Sequence, residues 1–163
     1  MTDTAKPSWP QLMQMMADNS EGQFKALGIK LADTRTTGVT MMIPWQDHLV
    51  GDPETGILHG GVVTTLVDSV CGYAVMSYMQ DLVDIATLDL RIDYLKPALP
   101  QQDLYASGEV YRMTRNIAFV RAWAYQTKGD PVANCVSTFM MGANTGVLPK
   151  RRNRIVENGS AGE

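Results

Sequence analysis

The chain has 163 residues, of which 45% are hydrophobic and 19% charged, with a net charge of −3 and a pI near 5.3. That length supports one domain with its own core, and that composition excludes a globally disordered chain. The mild acidity leaves no basic footprint for nucleic acid.

Met1 to Lys6 lack the basic-then-apolar order of a secretory signal. Ser8-Trp9-Pro10 followed by Gln11-Leu12-Met13-Gln14 supplies a cap, a first-turn proline and helix formers, predicting a short helix over 8–18. Phe24 to Asp33 and Val39 to Trp45 read as two strands around a Thr-Gly turn at 36–38. Gly51, Pro53 and Gly56 mark residues 46–56 as an irregular loop. A long apolar helix is expected from about Gly60 to Gln80. It is long enough for a membrane span, but Gly60, Gly61, Thr64, Thr65, Asp68, Ser69, Gly72 and Ser77 favour the buried core helix of a soluble protein, with no membrane partner.

Beyond the helix the period becomes two. Leu88, Leu90, Ile92 and Tyr94 alternate with Asp89, Arg91 and Asp93, a half-buried strand with a charged outer face. Leu104 to Thr114 and Ile117 to Thr127 are the next strands. In the second, Ala118, Val120, Ala122 and Ala124 form a small side that a helix can approach closely. Its bulky side, with Phe119, Trp123 and Tyr125, must meet something else. A turn at Lys128-Gly129-Asp130-Pro131 leads to a last strand, Val132 to Met141. One long helix among roughly six hairpin-connected strands predicts an α+β domain over residues 1–148, an antiparallel sheet wrapped around the helix. A polar, flexible tail is expected over 149–163.

Asp68 is the one carboxylate between Thr55 and Gln80. Burying an unpaired ionised acid costs several kcal/mol, so it needs a partner, a proton or a purpose. Gly60 and Gly61, eight and seven residues earlier, would bare backbone N–H groups at the helix N-terminus, where negative charge is stabilised. An acid two turns inside a helix with an anion-binding mouth suits acyl-group chemistry. Cys71 and Cys135 lie in apolar runs without metal spacing and read as buried thiols in a reducing, cytoplasmic setting. No metal or cofactor is expected.

Leu58-His59-Gly60-Gly61 followed by Leu66-Val67-Asp68 resembles the hotdog-fold acyl-CoA thioesterases, and most of all the phenylacetic-acid-degradation and 4-hydroxybenzoyl-CoA type. Gly51 to Gly56, Ala86 to Pro97 and Ala133 fall in the same order as in that family, so the likeness spans roughly 24–145. The resemblance implies Asp68 as nucleophile or general base, and Gly60 N–H as the oxyanion donor. It implies His59 as the residue that sets the loop, and Thr87 as a hydroxyl that holds the attacking water. It further implies a homodimer or homotetramer whose sites join the acid of one protomer to the oxyanion loop of the other. Relatives usually carry an asparagine near Asp52, so Asp52 is expected to turn outward, to be protonated, or to share the base role. Gly61, Arg112 and Arg115 are candidate substrate contacts, the arginines for CoA phosphates. An acyl-CoA-binding module without turnover and an enoyl-CoA hydratase or dehydratase are the competing expectations.

Overall fold

The computed structural model describes residues 7–35 and 38–142. Helix α1 (Trp9–Asp18) starts where the Gln11 side chain accepts the Ser8 N–H at 2.8 Å, and it buries Met13 and Ala17. A second, short helix follows, α2 (Gln23–Leu27), closed by Gly28 in the left-handed conformation at φ +66°. A strand expected from Phe24 therefore begins only at β1 (Lys30–Arg35). Gln-Phe-Lys-Ala-Leu is a run of residues compatible with a helix, and Phe24 stacks on Tyr73 of the long helix with ring centroids 5.7 Å apart.

Strand β2 (Gly38–Ile43) pairs antiparallel with β1; residues 36 and 37 of the expected turn, and the tail over 149–163, lie outside the described residues. Residues 46–56 are more ordered than an irregular loop. They hold a 3-10 turn (Asp47–Leu49) and β3 (Val50–Asp52), which forms a small hairpin with β4 (Ile57–Leu58) just beyond them. Gly56 keeps a turn conformation at φ +71°, but Gly51 is used for close approach: a Cβ on it would lie 2.8 Å from the His59 Cα.

Helix α3 (Gly60–Met79) runs 20 residues and ends at Gln80, at φ +51°. It is followed by β5 (Ile85–Tyr94), β6 (Leu104–Met113), β7 (Ile117–Thr127) and β8 (Asp130–Met141). The main sheet is antiparallel in the order β1-β2-β6-β7-β8-β5. Its inner face wraps α3. Ala106, Ala118, Val120, Ala122 and Ala124 are at most 2% exposed against it, and a Cβ on Gly108 would sit 3.3 Å from Val70. The small side of β7 therefore meets the helix. The bulky side forms a partly covered outer face, where Tyr105 stacks on Tyr125, Tyr111 tilts against Phe119, and Arg121 pairs with Glu109. A long helix rolled in an antiparallel sheet is the hotdog arrangement. Among the described residues α3 is the one helix long and apolar enough to cross a membrane, and the sheet encloses most of it.

One departure from the expected pattern matters for the site. In β5, Thr87 pairs with Phe139 and Asp89 with Thr138, so Leu88 is the extra residue of a β-bulge and is 53% exposed. Strict alternation puts Thr87 on the face opposite Leu90 and Ile92. The bulge shifts the register by one and turns Thr87 inward with them.

Candidate active site

His59 is the N-cap of α3, with extended backbone (φ −61°, ψ 133°), and its Nδ1 accepts the Gly61 N–H at 3.0 Å. An accepting Nδ1 requires the Nε2–H tautomer, so this nitrogen is occupied in capping and is not free to serve as a base. The His59 N–H donates to the Leu49 carbonyl and the His59 carbonyl accepts from Val62, each at 2.9 Å. A Cβ on Gly61 would stand 2.9 Å from Nδ1, so a larger residue there displaces the capping imidazole. Of the first three N–H groups of α3, those of Gly61 and Val62 are thus taken. The Gly60 N–H has no partner among the described residues. An unpaired N–H at a helix start carries the partial positive charge of the helix end and points out along the axis.

Asp68 lies two turns further along, half-buried, and its Oδ1 accepts the Thr87 hydroxyl at 3.1 Å. The bulge in β5 makes this contact possible. Thr87 thus touches the acid itself, which leaves Oδ2 available to a substrate or a water. Around Asp68 the helix shows a stripe of small hydroxyl residues. Thr64 donates to the Gly60 carbonyl (3.1 Å), Thr65 to that of Gly61 (2.9 Å), and Ser69 to that of Thr65 (2.7 Å). With their hydroxyls satisfied, these side chains allow another surface to come close. Beneath Asp68, the Cys71 thiol is pushed well above its usual range by its hydrogen bond to Cys135, then by burial and the nearby Asp68 charge. Cys71 stays a protonated core thiol.

The remaining candidates lie elsewhere. The Asp52 carboxylate is fully exposed and is bound by its own turn, accepting the Thr55 hydroxyl at 2.6 Å and the Glu54 N–H at 3.1 Å. The Thr55 bond first, then the Glu54 bond, hold its pKa below the ordinary carboxylate value, so it is ionised and not a protonated partner of Asp68. Arg115 borders a cleft of about 310 Å³ with Met79 and Met141, at the C-terminal end of α3. Arg112 is exposed on β6 near the same hairpin. Over 20 residues the helix is about 30 Å long, so neither arginine shares a site with Gly61 of the same protomer. Tyr94 was unforeseen as a site residue. Its hydroxyl lies at the mouth of α3, on the Gly60 carbonyl and Thr64. The alternation of β5 assigned it only a strand face, and no sequence signal links position 94 to position 60.

Asp68 and Gly60 are eight residues apart, about 12 Å along the axis. A donor and a nucleophile acting on one carbonyl lie within about 7 Å of each other. Since the Gly60 N–H also points away from Asp68, one protomer offers either half of such a site but not both on one substrate. The larger cleft, about 380 Å³ between Trp45, Val50, Pro53 and Pro100, contains neither residue.

The chain is similar to known proteins in sequence and in fold. The sequence profile of the thioesterase superfamily fits residues 55–133. The chain is 34% identical over 105 residues to a Halobacterium salinarum protein provisionally named an esterase, covering 63% of this chain and 68% of that one. It is 25% identical over 131 residues to the medium/long-chain acyl-CoA thioesterase YigI of Escherichia coli K12, covering 72% and 84%. A Pseudomonas aeruginosa crystal structure is 37% identical with a TM-score of 0.72, covering 79% of this chain and 96% of that one.

Proposed function

Because the chain belongs to the thioesterase superfamily, we propose that it hydrolyses an acyl-CoA thioester to the free acid and CoA at a site shared by two protomers. One observation carries this reading: a carboxylate held by Thr87 lies on the same helix as an unpartnered N–H, too far along to act on one substrate with it. A two-fold partner with its helix antiparallel would bring the Asp68 of one copy to the Gly60 of the other. The edge strand β5 supports such pairing. It is ten residues long, has a neighbour on one side only, and exposes Leu88 and Tyr94 at 53% each. A tetramer would add contacts to such a dimer.

In the proposed reaction, Asp68 attacks the thioester carbonyl, or takes a proton from a water that does so. Thr87 holds Oδ1 and leaves Oδ2 to react. The partner copy's helix mouth receives the negative charge that develops on the carbonyl oxygen, through the N–H of its first glycine. When Asp68 activates water, the C–S bond breaks to give the free acid, and CoA leaves as thiolate and takes the proton from Asp68. When Asp68 itself attacks, the C–S bond breaks to leave an Asp68 acyl anhydride. Water hydrolyses it to the free acid and the Asp68 carboxylate, the released proton going to the thiolate. The engaged Nδ1 of His59 argues against a hydratase that would use that nitrogen as its base.

Free-thiol release from phenylacetyl-, octanoyl- and palmitoyl-CoA, by wild type and Asp68→Asn, tests the reading. Turnover that falls about a hundredfold or more in a folded variant supports it. An inactive wild type that still binds these thioesters would replace hydrolysis by binding alone, and an undiminished variant would remove Asp68 from the mechanism. The panel also separates aromatic from medium- and long-chain substrates.

A further inference from the structure

Tyr94 ends β5 beside the unpartnered Gly60 N–H. Its hydroxyl donates to the Gly60 carbonyl at 2.9 Å and lies 2.7 Å from Thr64 Oγ1, which reaches the same carbonyl at 3.1 Å. Its ring covers the glycine: a Cβ on Gly60 would meet Tyr94 Oη at 3.5 Å and Cζ at 3.7 Å. The carbonyl has Thr64 as a donor without Tyr94. The bond is therefore redundant for holding the helix together, and it acts on a glycine, the residue type with the freest backbone.

Two peptide planes meet at the Gly60 Cα. The plane shared with His59 carries the free N–H, and the plane shared with Gly61 carries the carbonyl that Tyr94 holds. The His59 carbonyl anchors the first plane by accepting from Val62 at 2.9 Å. The His59 side chain anchors the far end of the second through Gly61. Tyr94 closes the set from the sheet side. Both planes are then fixed before a substrate arrives, and an oxyanion donor needs that preorganisation to act.

We infer that Tyr94 is a positioning residue, holding Gly60 so that its N–H is aimed at the developing oxyanion; this rests on the proposed donor role of Gly60. Tyr94→Phe keeps the ring and removes the grip. With octanoyl-CoA as probe, it lowers kcat about tenfold while KM, melting temperature and oligomeric size stay as in wild type. The deciding readout is the double variant with Gly60→Pro, which has no N–H to aim. If Tyr94 acts through that N–H, adding Tyr94→Phe to Gly60→Pro lowers kcat no further. Two losses that multiply, or a Tyr94→Phe enzyme with wild-type kcat, overturn the inference and leave the proposed function standing. A fully active Gly60→Pro single variant would instead overturn the donor role, and the inference with it.

Discussion

Gly60→Pro separates the oxyanion donor from the fold. Proline at the first helical position is tolerated because the N–H it lacks has no intrahelical partner there. The Gly60 N–H has no partner of any kind among the described residues, so the exchange breaks no bond of the protein. His59 already has the backbone that precedes proline, with ψ 133°. The new Cβ meets Tyr94 at 3.5 Å or more, an ordinary contact. Replacing glycine where the backbone suits proline restricts the unfolded chain and stabilises by about 0.4–1 kcal/mol. For a chain of this size that raises the melting temperature by at most about 4 °C. Loss of one oxyanion donor, in contrast, removes about 2.7–4 kcal/mol of transition-state stabilisation, or 10²–10³ in kcat. Gly60→Ala keeps the N–H and should hold wild-type turnover within about threefold, the measure of a conservative change. Thermal unfolding, gel filtration and thiol release on the three proteins decide the matter. A stable Gly60→Pro enzyme with turnover within about threefold of wild type would refute the donor role. A melting point lowered by more than about 5 °C would refute the steric reasoning.

Thr87→Val should reduce kcat about tenfold by releasing Asp68 Oδ1, while Thr87→Ser restores most of it, as read from steady-state kinetics. Asp52→Asn should keep its turn, because the amide oxygen can accept the same two bonds, and leave turnover within about threefold. A loss of tenfold or more there would assign Asp52 part of the base role. His59→Ala should lower stability by about 1 kcal/mol through the lost cap, seen as a melting point roughly 2–4 °C lower, and His59→Asn should recover most of it.

Much of this protein was legible before any coordinates. The apolar run around Asp68 could be stable only inside other structure, and the two-residue period after it could only be sheet, so a helix wrapped by strands followed. Local chemistry also placed α1, β6, β7 and the turn at Gly129. The misread segments are those where a local signal had two physical meanings. Phe24 to Leu27 has apolar residues that fit a strand or a helix, and stacking on Tyr73 favours the helix. Gly51 reads as a loop residue, yet it serves as the thin point of a strand against His59.

For the site, sequence determined the residue types and their spacing along one helix: Asp68 eight residues from Gly60, with His59 before it. Those are properties of neighbours in the chain, fixed by the rise of the helix and the rules of its first turn. Only the tertiary structure decided which groups from distant strands meet them. A bulge at Leu88 turns Thr87 onto Asp68, and Tyr94 reaches the Gly60 carbonyl across 34 positions of sequence. Arg115 stands at the opposite end of α3 from Gly61. Strand register is set by summed pairing with β8 and packing on the helix, energies that no local window contains, and a shift of one residue changes which face a side chain occupies.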